Sequence, residues 1–117
     1  MPHFDSLITN GRVIDPSQNI DRITQVAIHE GKIAAIDDGI EASSAKETYD
    51  AAGQLVTPGL VDLHIHGYEH VTPLGIDVDH FCLGRGVTTA VDAGSAGCDT
   101  FSGFRAFAAE RCRTRLL

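Results

Sequence analysis

At 117 residues, 43% hydrophobic and 21% charged, the chain has the composition of a globular protein able to bury one ordinary core, which excludes a disordered or fibrous polymer. Its 9 basic and 16 acidic side chains leave a formal charge of −7, and Lys and Arg form no run or stripe, so nucleic acid and membrane surfaces are not expected partners. No stretch reaches the roughly 18 apolar residues that span a bilayer, and MPHFDSLITNG has no basic region ahead of an apolar one, so the expectation is a cytoplasmic protein.

In chain order, SLITNGRVID carries apolar residues on both sides of Asn10-Gly11, and QVAIHEGKIAAID repeats the plan around Glu30-Gly31. Both patterns predict β-hairpins. A further strand is expected in ETYDAAGQLV, and Thr57-Pro58-Gly59 then marks a boundary between residues 1–57, mainly antiparallel β-structure, and residues 58–117. Beyond it LVDLHIH and GVTTAVDAG are strand-like, with a helical segment between them, which is a β-α-β pattern that requires parallel pairing. Asp77 is the expected N-cap of that helix, Val78, Phe81 and Cys82 its apolar stripe, and Gly84 or Gly86 its end. After the second strand Asp99 or Thr100 caps a helix with Phe101, Phe104, Phe107 and Ala108 on one face, and Leu116 and Leu117 open a third strand. Cys82, Cys98 and Cys112 are odd in number and widely spaced, which fits reduced, partly buried thiols better than a disulfide framework or a cysteine zinc site.

Two histidines and a carboxylate stand at even spacing inside the apolar run LVDLHIHG. Strict alternation would put Leu60, Asp62, His64 and His66 on one strand face and Val61, Leu63 and Ile65 on the other. Imidazoles at i and i+2 on a strand can converge on one divalent ion, zinc being the best fit, with Asp62 behind them in a supporting role. His3, His29 and His80 lack such a context and read as surface or structural residues. AGSAG, Ala93 to Gly97, has the outline of a degenerate nucleophile elbow, which makes Ser95 an alternative acyl-transfer nucleophile. Against it, Gly97 and the Asp99 cap imply a loop before the helix, and no histidine follows Ser95. Ser95 and His70 are better placed as residues near a site mouth.

TPGLVDLHIHG, preceded by NGRVID and GKIAAID, resembles the N-terminal part of the amidohydrolase superfamily, in its dihydroorotase-like and deacetylase-like branch of metal-dependent hydrolases. GVTTAVDAGSAG is similar to the second barrel strand and following loop of that branch. The resemblance implies a mixed fold, in which an N-terminal β-sandwich portion is followed by the first two β/α units of a TIM-type (β/α)8 barrel. It maps the first two metal ligands onto His64 and His66. A bridging carboxylated lysine or glutamate, two further histidines and a base aspartate would lie on later strands, so no catalytic residue is expected within this chain. Such a barrel needs about 250 residues, and the chain is therefore expected to be an N-terminal fragment, inactive alone. The dihydroorotase pattern has an arginine where Tyr68 stands, which favours a deacetylase or another amide or ester hydrolase using metal-activated water. The implied cofactor is one or two divalent ions, zinc first. The implied partners are a small-molecule amide or ester and, in the complete protein, further copies of itself. A truncated, non-catalytic interaction or assembly module is the alternative.

Overall fold

The computed structural model describes residues 3–117. It divides into two compact units, Met1–Pro58 and Gly59–Leu117.

In the first unit, β1 (Phe4–Asp15) pairs antiparallel with β2 (Ile20–His29), which pairs antiparallel with β3 (Lys32–Ile36). The hairpin predicted at Asn10-Gly11 does not form. Asn10 takes the positive φ of 61° that its turn signal announces, but inside a continuous strand, as a bulge where the register moves from Ile8 opposite Val26 to Gly11 opposite Thr24. The chain reverses instead at Pro16–Gln18, where the Asp15 carboxylate accepts from the Ser17 N–H at 2.9 Å and from Gln18 Nε2 at 2.7 Å. The second predicted hairpin is present: Glu30 and Gly31 have φ of 50° and 71°, the pair of left-handed residues that a two-residue turn needs to match strand twist.

The segment expected to form one strand after Gly39 forms two, β4 (Ala45–Asp50) and β5 (Leu55–Val56). Both run parallel to β1, with Phe4 opposite Ala45 and Val13 opposite Val56, so the antiparallel expectation holds only for β1 to β3. Leu7, Val13, Val26, Ala27 and Ala51 are buried in this unit.

The second unit begins with β6 (Leu60–Ile65), whose entry passes so close to the neighbouring strand that a Cβ on Gly59 would run into Thr88 Oγ1. After α1 (Val78–Cys82), β7 (Val87–Asp92) returns parallel to β6, as the crossover length predicts, and β8 (Arg115–Leu116) adds a third parallel strand. Asp77 caps α1 by accepting from the His80 N–H at 3.0 Å, and Gly86 ends the helical segment at a φ of 79°. Between β7 and β8, α2 (Phe101–Phe104) starts after Thr100 and runs on into a π-helical turn over Arg105–Ala109.

Ile65, Val78, Cys82 and Ala90 form the core, with Ile76, Val87, Cys112 and Leu116 packed against it. Phe104 is buried, but Phe81, Phe101 and Phe107, expected on the inward helix faces, are exposed. All three thiols are free: Cys82 is buried, Cys112 half-buried and Cys98 exposed. Among the described residues no helix is long and apolar enough to cross a membrane.

Candidate metal site

β6 carries His64 on its last turn of pleat and delivers His66 one residue past its end, so both rings stand at the C-terminal edge of the parallel sheet. Their centroids are 5.6 Å apart and nearly perpendicular, at 80°. His64 is exposed and His66 half-buried.

The even alternation read from the sequence does not run through the strand. Asp62 is in register with Ala90 and Ile65 with Asp92, so three steps on β6 match two on β7 and a bulge lies between. Two corrections follow. Ile65 is buried with Ala90 and α1, whereas Val61 and Leu63, expected to share its covered face, are 57% and 75% exposed. Asp62 parts from the histidines: it stands in register with Ala90 of the core and is half-buried where His64 is exposed. Its carboxylate accepts from the His64 backbone N–H at 3.0 Å, which holds the main chain of the motif rather than either ring.

Ser95, in the loop after β7, lies beside His66, with Oγ 3.2 Å from Nδ1. This is a serine–histidine pair that chain order alone discounted. It lacks the layout of a hydrolytic triad, because the neighbouring carboxylate, Asp92, bonds the serine residue rather than the imidazole. Asp92 is the site residue that sequence reasoning missed. Its carboxylate accepts from the N–H groups of Gly67 at 2.8 Å, Gly94 at 2.9 Å and Ser95 at 2.6 Å. Burial opposes its ionisation, but these bonds outweigh burial and hold the carboxyl below the usual carboxylate range. The available signal was Asp92 followed by Gly94 and Ser95 at a strand end, an Asx-turn pattern.

His70 is not brought to this group. It sits at a φ of 61° in the loop after the motif, its exposed imidazole 3.7 Å from Glu69, and lines a separate cleft of about 540 Å³ with Tyr68, Asp77, Phe107 and Arg111. Tyr68 packs edge-on against Phe104 at 5.3 Å, so its ring belongs to the α2 contact. His29 lies 3.5 Å from Asp5, and His80 against Phe81 at 5.0 Å.

Two imidazoles at this spacing fit a divalent ion that keeps further positions for other donors. Among the described residues no group of three or more His, Cys, Asp or Glu side chains is assembled to hold one. The residues present therefore fit part of a metal site.

No family model matches the chain. It is 38% identical to a deacetylase of Brucella anthropi over 112 residues, which cover 94% of this chain and 28% of that protein. A solved dihydroorotase superposes with a TM-score of 0.81 and 36% identity, covering 95% of this chain and 29% of that one. The N-acyl-D-glutamate deacylase of Bordetella bronchiseptica, solved with zinc and a phosphonate mimic of a tetrahedral intermediate, matches with a TM-score of 0.60 and 30% identity, covering 78% and 19%. The chain thus spans less than a third of the length of the relatives it matches. By these likenesses it is a relative of the amidohydrolases, in the group that includes dihydroorotases and deacetylases.

Proposed function

We propose that this chain contributes two metal ligands, His64 and His66, to a metal-dependent hydrolase of amide or ester bonds of the deacetylase or cyclic-amidase kind. The observation that carries the reading is the pair of imidazoles 5.6 Å apart at the C-terminal edge of a parallel sheet, the edge at which parallel α/β folds build their sites. The zinc-bound deacylase among its structural relatives supports both the metal and the bond class. In this reading β1 to β5 are one portion of a β-sandwich, residues 59–117 are the first β/α units of a barrel, and the remaining ligands and the proton-transferring carboxylate lie outside this chain. Bound divalent metal would lower the pKa of a water and polarise the carbonyl it attacks. This chain's own part is to hold two imidazoles in place and, through Asp62, to tether the backbone N–H of His64.

Two ligands hold zinc weakly, since a catalytic site takes three protein ligands and a supporting shell. The chain alone is therefore expected to bind zinc loosely and to turn nothing over. The test is zinc titration of the chain and of a His64→Ala, His66→Ala double variant, with N-acyl amino acids, cyclic amides and activated esters assayed before and after chelation. Equal zinc uptake in both proteins would remove the ligand assignment. Chelator-sensitive turnover lost in the double variant would show a working site without further strands. Exposed Val61 and Leu63 beside the histidines favour one second reading, an assembly module that acts by covering that face.

A further inference from the structure

The ring of His66 and the residue after it are both tied to the end of β7. Asp92 Oδ2 accepts from the Gly67 N–H at 2.8 Å, Asp92 Oδ1 accepts from the Ser95 N–H at 2.6 Å, and Ser95 Oγ meets His66 Nδ1 at 3.2 Å. The parallel register makes this possible, because Ile65 stands opposite Asp92 and the two following loops leave the sheet side by side. One carboxylate thus grips the backbone on one side of the imidazole and the residue that touches it on the other.

We infer that Asp92 and Ser95 are positioning residues for His66, fixing its ring orientation and its tautomer. An imidazole at a strand end needs such a device, since its χ2 well is broad and roughly two-fold and neither nitrogen is otherwise marked for the proton. Asp92 holds Ser95 by its backbone, accepting from the Ser95 N–H at 2.6 Å, and this sets Oγ 3.2 Å from His66 Nδ1. A hydroxyl can donate or accept, so the ligand role decides the sense: with Nε2 keeping its lone pair for a ligand, the neutral ring carries its proton on Nδ1 and Oγ accepts it. The tautomer therefore rests on the reading of His66 as a metal ligand, but the geometry does not.

The experiment uses the full chain labelled with ¹⁵N-histidine, held well above the ordinary histidine pKa, with two-bond ¹H–¹⁵N spectra that separate Nδ1–H from Nε2–H imidazoles. The His66 signals are assigned by their loss in His66→Gln. In the parent chain His66 is expected in the Nδ1–H form. Ser95→Ala is expected to shift it to the Nε2–H-dominated mixture of a free imidazole, Ser95→Thr to restore it, and Asp92→Asn to weaken it. Unchanged His29 and His80 signals show in each case that the chain keeps its fold. An Nε2–H parent, or a Ser95→Ala spectrum identical to the parent, overturns the inference. Zinc titration separates this from the metal reading. Affinity in Ser95→Ala is expected to fall about 10-fold, the lower end of what partners of metal-bound imidazoles contribute. A parent that takes no zinc yet shows the tautomer pattern defeats the metal reading alone, whereas zinc binding without the pattern defeats the positioning role alone.

Discussion

The two units treat their apolar side chains differently. The β1 to β5 sheet buries Leu7 and Ala27 completely and Val13 and Val26 nearly so, and strands on both flanks of β1 keep that strand interior. The β6 to β8 sheet covers one face with α1 and leaves Val61 and Leu63 open beside His64. Both leading strands contain a bulge, yet with opposite results. In β1 the extra residue at Asn10 is absorbed and the buried pattern resumes at Val13. In β6 Ile65 packs with α1 beyond the bulge, while Val61 and Leu63 before it stay exposed. The bulge in the first unit leaves the packing continuous, and the bulge in the second divides a packed strand end from an open stretch.

That contrast can be broken from the buried side. Leu7→Ala removes a side chain with no exposure and is expected to cost about 3 kcal/mol, read as faster hydrogen exchange in the β1 and β2 amides. Ile65→Ala, in the smaller core, is expected to cost about 2 kcal/mol by denaturant unfolding, because an open neighbourhood relaxes around the gap more readily. A smaller effect, about 1 kcal/mol, is expected for Asp79→Ala. Its carboxylate accepts from the backbone N–H groups of Arg113 and Thr114 at 2.8 Å each, which ties α1 to the approach to β8.

Asp79 also gives the pH dependence. Burial raises its carboxyl, but the bonds from Arg113 and Thr114 prevail and lower it from 3.8, as similar bonds lower Asp92. A carboxyl lowered on folding stabilises the native state above its unfolded value, and that contribution is lost as pH falls through the folded value. Acid titration followed by circular dichroism should therefore show Asp79→Ala losing less stability below pH 3.8 than the parent. The smallest effect is expected at Leu63→Ser. At 75% exposure it should change stability by less than about 0.5 kcal/mol, while self-association, measured by sedimentation, decreases if the open face is sticky.

Local chemistry was legible where a residue acts on its own neighbourhood. Glu30-Gly31 turned as read, Asp77 capped α1, and the crossover length gave the parallel pairing of β6 with β7. Asn10-Gly11 shows the limit of such signals: its left-handed backbone was foreseen, but the same φ serves a bulge when the flanking residues find partners on β2. Ile65 packs as read, but the irregularity between Asp62 and Ile65 breaks the alternation that tied Val61, Leu63 and Asp62 to it and to the histidines. Asp92 was missed for another reason. Its bonds to Gly94 and Ser95 are local and only mark a turn, whereas its bond to Gly67, which links it to the histidine motif, depends on the register of β6 on β7.

The parallel seating of β4 on β1 has a consequence in time. Phe4 pairs with Ala45 and Thr9 with Asp50, so that edge of β1 has no partner until the chain has passed residue 50. The β1 to β3 meander closes through short turns and can form earlier, which leaves a hydrogen-bonding edge exposed while synthesis continues. Pulse-labelled hydrogen exchange during refolding should protect the amides between β1 and β2 ahead of those between β1 and β4. Nascent chains stopped between these two stages would be the ones that recruit one another through β1.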